Sequence, residues 1–265
     1  MKWIESRSRW LRIALVCLFL TPALPACAQV SKPEVRETMY EITPTPAAAQ
    51  KTLGVLIFPN FEMLDAYGPM EIWGNLNSTS PKLWGGADKK VGVRVVTISA
   101  HKGEVISRQG VRSVADYGYD DAPQLDYILV PGGTGIFPLL NDVTTQKWLR
   151  ERADKAELVM SVCNGASLLA ASGLLDGHRA TTNKMFWKPS TDPGPKVQWV
   201  KKARWVDDGK IVTSSGVSAG MDMSLAVIAR LYGKNISAWV ARVIEYTPHQ
   251  DPSWDPFAKQ AGLTK

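Results

Sequence analysis

The chain has 265 residues, 45% hydrophobic, 21% charged and 9% aromatic, with three cysteines and a formal net charge of +6. That length holds one α/β domain or two small ones, with room for a sizeable core, and the ordinary composition excludes collagen, coiled coil and wholesale disorder. Three cysteines without a CxxC pair exclude a disulfide framework and a cysteine-based zinc site.

Lys2, Arg7, Arg9 and Arg12 precede an apolar run from Ile13 to Leu20, followed by Ala26-Cys27-Ala28. A basic start, a short apolar core and small residues at a cleavage position predict a signal peptide over residues 1–28, and hence a periplasmic or secreted protein. The run is too short to span a bilayer. Acylation of Cys27, giving an anchored lipoprotein, is the alternative; without it no membrane partner is expected. Cleavage leaves 27 basic and 24 acidic side chains, a charge of only +3. With no dense Lys/Arg stretch interleaved with aromatics, no nucleic-acid partner is expected. Residues 29–50, with Pro33, Pro44 and Pro46, predict a flexible arm.

From there strands and helices alternate. Leu53 to Phe58 is a short apolar run of the kind buried in a parallel sheet, and a helix is predicted from Met63 to Leu76. Strands follow at Val91 to Ile98 and Tyr127 to Val130, the latter ended by Pro131-Gly132-Gly133. A helix over Val143 to Lys155, a strand over Leu158 to Val162 and a helix over Gly165 to Ser172 come next. Asp208-Gly209 predicts a hairpin turn between Arg204–Val206 and Ile211–Thr213. Helices over Ala219 to Tyr232 and Ile236 to Glu245 complete a main domain at 51–247. The tail 248–265, with Pro248, Pro252 and Pro256, is expected to pack over the surface or on a neighbouring subunit. This order argues for a three-layer α/β fold, an open, mostly parallel sheet with helices on both faces. Ligands of such sheets bind beyond the carboxyl ends of the strands.

One strand-to-helix junction stands out, Ser161-Val162-Cys163-Asn164-Gly165. A cysteine on so tight a turn projects above the sheet as a nucleophile, and the helix start is expected to lower its pKa. A small buried core cysteine is the competing reading. Backbone amides of Asn164 and of Gly132-Gly133-Thr134-Gly135 are candidate donors to a developing anion. Asp65 follows the first strand and should face the same crevice, where a poorly solvated carboxyl can donate a proton; a helix-cap role is its alternative. Glu71 reads as structural. His101, His178 and His249 are dispersed, which argues against a Cys–His pair and a His-based metal site. Trp73, Phe186 and Trp187 are candidate pocket walls.

Together, GVLIFPNFEMLDAYGPMEIW, YILVPGGTG, VMSVCNGASLLAASGLLDGHRATTN and VTSSGVSAGMDMSLAVIARLYG resemble the ThiJ/PfpI (DJ-one) superfamily, in its isonitrile-hydratase-like branch. The resemblance runs from Leu53 to Glu245. It implies a class I glutamine amidotransferase-like, flavodoxin-like fold, with Cys163 as nucleophile and Asp65 as its acidic partner. It also implies that the Gly133 and Asn164 amides, beside Gly132, line the oxyanion pocket. The implied activity is hydration of a small electrophile, an isonitrile giving an N-substituted formamide, by a homodimer without cofactor or metal. Two positions depart from the pattern. Asn164 stands where that branch has threonine, and Asn183 stands where many relatives have a histidine. A non-catalytic binding protein, a thiol stress-response protein and a cysteine amidase or peptidase are the alternatives. A transcription regulator is not expected, since no helix-turn-helix follows Glu245.

Overall fold

The computed structural model describes residues 51–78 and 92–265. The expected signal peptide over 1–28, the expected arm at 29–50, Cys27 with its alternative of lipidation, and Val91 lie outside the described residues.

Strand β1 (Lys51–Leu56) leads into helix α1 (Met63–Gly74) and a short 3-10 turn at Asn75–Ser78. Next come β2 (Val93–Ile98), β3 (Gly103–Ile106), β4 (Arg112–Ala115) and β5 (Tyr127–Val130), then α2 (Ile136–Leu139), α3 (Val143–Lys155), β6 (Leu158–Ser161) and α4 (Gly165–Ala171). The last part contains β7 (Arg179–Ala180), α5 (Trp187–Thr191), β8 (Gln198–Trp199), β9 (Trp205–Asp208), β10 (Ile211–Ser214), α6 (Ala219–Tyr232), α7 (Lys234–Val243) and α8 (Phe257–Gln260). The main sheet runs in the order β2-β1-β5-β6-β10-β9. Every pairing in it is parallel except β9 with β10, which meet around Gly209 at φ 79°. This is the mostly parallel α/β sheet that the alternation of elements predicts.

The apolar runs form strands because both faces of the sheet are covered. All four residues of β5 and all four of β6 are buried. α3 starts at Asp142, whose side chain accepts from the Thr144 N–H at 3.0 Å, and buries Trp148 and Leu149 while its charges face outward. Trp73, a candidate pocket wall, is instead fully buried in the core, with its ring 5.3 Å from that of Tyr127.

The strand order places the site. The chain steps from β1 outward to β2, then returns to the other side of β1 with β5, so the crevice between the ends of β1 and β5 is the topological switch point. The loops after these strands are locked together by close backbone approach. A Cβ at Gly135 would lie 1.8 Å from the Pro59 carbonyl oxygen, and one at Gly165 would lie 2.2 Å from that of Val130. Only glycine fits there.

The tail folds back on its own domain. The Arg204 N–H donates to the Pro252 carbonyl at 2.7 Å, the His249 N–H to Asp222 at 3.0 Å, and Asp255 and Ala258 are buried. It reaches the sheet end where the site lies.

Candidate active site

Cys163 sits between β6 and α4 with φ at 58°, a left-handed backbone that a residue with a β-carbon adopts at a cost. The surrounding loops hold it there, and it is the sharp elbow the sequence points to. The thiol is buried, with a relative exposure of 6%.

Asp65 lies in the first turn of α1 and is fully buried. It does not cap the helix. Its Oδ2 accepts from the Gly132 N–H at 2.9 Å, while Oδ1 has no well-aligned partner. Burial is the main reason its pKa rises to about 8; the Gly132 N–H opposes this and the charge of nearby Glu62 adds to it. The Cys163 thiol lies beside this carboxyl, the Asn164 N–H and the Asn183 side chain, and all three act on its ionisation. Its pKa is pushed up well above the ordinary thiol range, first by burial and then by Asp65, with the two asparagines opposing. The expected depression by the helix start is therefore outweighed, since α4 is only seven residues long and the carboxyl is in contact. Two acids this close titrate as a pair.

The glycine loop plays a different part from the one expected. The Gly133 N–H donates to Asn164 Oδ1 at 2.8 Å, and Asn164 Nδ2 donates back to the Gly133 carbonyl at 3.1 Å. Gly132 and Gly133 thus spend their amides on Asp65 and Asn164, so neither is open to an oxyanion. A Cβ on Gly132 would sit 2.1 Å from Asn164 Oδ1 and 2.9 Å from Asp65 Oδ2, so the residue is glycine because both side chains crowd it. Of the expected donors, the Asn164 N–H is the one directed at the sulfur. Asn183 adds a second donor that the sequence reading counted only as a missing histidine. Its amide reaches the thiol, and its own Oδ1 accepts from the Phe186 N–H at 3.1 Å.

Asn183 also lines a cavity of about 380 Å³ with Leu64, Met185, Val217, Phe257 and Ala261. That volume is at the small end for a ligand pocket. Phe186 and Trp187 are not among its walls: Phe186 is exposed, and Trp187 packs edge-on to Trp199. The histidines lie elsewhere. His178 pairs with Asp208 at 2.8 Å, and His249 stacks on Trp254. Across the crevice, Arg108 on the turn between β3 and β4 pairs with Glu62 at 2.8 Å.

A buried thiol on a strained elbow, paired with a protonated carboxyl at the switch point of a parallel sheet, defines a cysteine-elbow α/β protein. The DJ-1/PfpI family pattern matches residues 51–230, and the chain belongs to that family. It is 33% identical over 198 residues to the isonitrile hydratase of Pseudomonas putida, covering 74% of this chain and 78% of that protein. It is also 27% identical to the HTH-type transcriptional regulator GbdR of Pseudomonas aeruginosa, of which it spans 51%. A solved ThiJ/PfpI family protein from Pseudomonas syringae superposes with a TM-score of 0.65 at 23% identity, covering 86% of each chain. Oxidized DJ-1 of Toxoplasma gondii superposes at 0.58 with 22% identity, covering 74% of this chain and 99% of that one.

Proposed function

We propose that the protein is a cysteine-dependent hydratase that adds water to the terminal carbon of a small isonitrile and releases an N-substituted formamide. The observation that carries this reading is the Cys163–Asp65 pair, which holds a nucleophile and a proton donor in one buried contact. The likeness to an isonitrile hydratase supports it.

The pair is reactive when its one remaining proton sits on Asp65, as thiolate and carboxylic acid, the less populated of the two arrangements because the thiol is the weaker acid. Asp65 gives that proton to the isonitrile carbon as the Cys163 sulfur bonds to the same carbon, leaving a thioimidate, R–N=CH–S, and an Asp65 carboxylate. The carboxylate takes a proton from water as the hydroxide adds to that carbon, and returns the proton to nitrogen. The hydroxyl proton then passes to Asp65 as the C–S bond breaks. R–NH–CHO leaves, and the thiolate and acid are restored. Negative charge on sulfur is met by the Asn164 N–H and the Asn183 amide.

The alternatives fit the site less well. An oxidation sensor wants an exposed, low-pKa thiol, whereas this one is buried and raised. A peptidase wants a histidine beside the sulfur, and Asn183 stands there. The order of basic, apolar and small residues over 1–28 supports an exported enzyme, which periplasmic fractionation of the tagged full chain tests.

The test is the formyl proton of the product, followed by NMR with a set of alkyl and aryl isonitriles, with oxygen from labelled water appearing in the formamide. A wild-type protein with an intact thiol that yields no formamide above buffer overturns the reading. The pH dependence is a second expectation. Below about 8 the pair carries both protons; the first to leave comes mostly from Asp65, and a fixed share of the singly protonated pair holds its charge on sulfur, so kcat/KM rises roughly tenfold per pH unit and levels near pH 8. Lys184, beside Asn183, also titrates at about 8. The limb belongs to the pair if Asp65→Asn shifts it upward, to where the lone buried thiol ionises.

A further inference from the structure

The hydratase reading assigns no role to the tail, to the buried Lys184–Asp255 pair or to the far wall of the cavity. The cavity at Asn183 is built from the loop after β10 (Ser215 to Ser218), from Leu64 and Met185, and on its remaining side from Phe257, Gln260 and Ala261 of the tail. That last wall lies beyond the residues matched by the family pattern, which end at 230.

Beyond the Arg204–Pro252 and His249–Asp222 hydrogen bonds, the tail is fastened next to the cavity by two buried charges. Lys184 Nζ lies 3.3 Å from Asp255 Oδ2, with side-chain exposures of 3% and 1%. Asp255 Oδ1 in turn accepts from the N–H groups of Phe257 and Ala258, which orients α8. Lys184 Nζ donates to the Thr182 carbonyl at 3.0 Å, and Thr182 Oγ1 donates to the Cys163 carbonyl at 3.0 Å. One chain of contacts therefore runs from α8 through Lys184 to the elbow, passing the residue whose amide meets the thiol. Neither charge is stable in the interior without the other. The pair is buried together with the tail in place, or solvated together with the tail released.

We propose that the tail is the specificity-determining wall of the substrate pocket, and that the Lys184–Asp255 pair is the clasp that sets its position. Phe257 and Ala261 limit the size of an apolar substituent carried by the electrophile. Asp255 acts through this placement and is a positioning residue. The proposal rests on the cavity being the route to Cys163, since Asn183 both lines it and meets the thiol; it uses the nucleophile of the hydratase reading but does not require hydration.

Alkylation of Cys163 by N-methylmaleimide and N-cyclohexylmaleimide tests it without isonitrile chemistry. In each case the sulfur adds to the ring double bond, and the thiol proton ends on the neighbouring carbon. The full chain is used at pH 7, and modification is read at the Cys163 peptide by mass spectrometry. The ratio of the two rates cancels the thiolate fraction and reports size selection alone. Ala261→Trp is expected to lower the cyclohexyl-to-methyl ratio about tenfold. Phe257→Ala and Asp255→Asn are expected to raise it by about fivefold or more. Where Asp255→Asn fails to fold, the two variants at Phe257 and Ala261 decide. Folded variants that keep the wild-type ratio overturn the proposal. Shifted ratios in a protein that forms no formamide would uphold the wall and remove only the hydratase reading.

Discussion

Cys163→Ala is expected to abolish formamide production, by about four orders of magnitude or more, because no other group near the site can form the covalent intermediate. The variant should remain folded. The thiol is a small buried group, and its polar neighbours Asp65, Asn164 and Asn183 are all anchored elsewhere, by Gly132, Gly133 and Phe186. Stability measurements then separate chemistry from backbone. Alanine keeps a β-carbon at φ 58° and with it the strain, whereas Cys163→Gly releases it. Glycine should therefore be the more stable of the two inactive variants, by about 1 kcal/mol, against the usual ranking of the two residues. Turnover surviving in Cys163→Ala at more than a hundredth of wild type would remove the thiol from the mechanism. An alanine variant more stable than the glycine one would show that the elbow is not strained.

Element by element, the sequence was most readable where both faces of a segment are buried or where a turn needs a particular residue. β5, α3 and α6 fall where periodicity puts them, and the Asp208-Gly209 turn joins an antiparallel pair as expected. The hairpin of β3 and β4 was not readable because its chemistry is inverted. In β4, Ser113 and Ala115 are buried while Val114 is 66% exposed, so hydrophobic alternation points to the wrong face. The segment from 178 to 200 was equally opaque, since two-residue strands and a five-residue helix carry no period.

The site divides the same way. Cys163 and Asp65 were legible because strand-end junctions converge in a parallel sheet, whatever the loops do. The electrostatics was not. A helix start argues for a low thiol pKa, and burial of the thiol itself, followed by the carboxyl against the sulfur, reverses it. Nor do spacing rules bury a lysine against an aspartate 71 positions along the chain. The occupation of the Gly133 N–H by Asn164 is the physical consequence of an asparagine at that position, because its amide is long enough to bridge back to that loop.

Asp65→Asn is expected to do two opposite things at once. Removing the proton donor lowers kcat by about 10²–10⁴-fold, while the fold becomes more stable at neutral pH. The carboxyl titrates at about 8 in the folded chain against an ordinary 3.8. Between those values the native state binds the extra proton, so its stability falls as pH rises from near 4 and levels off above about 8. Each unit within that window costs about 1.4 kcal/mol. An asparagine at the same place accepts from Gly132 and carries no charge to bury, so it escapes this loss. The difference in unfolding free energy between variant and wild type should grow by about 2–3 kcal/mol from pH 5 to pH 7, measured by urea denaturation. Parallel stability curves would mean that Asp65 stays ionised in the folded protein. The hydratase mechanism would then lack its acid, because the carboxyl that must protonate the isonitrile carbon would carry no proton.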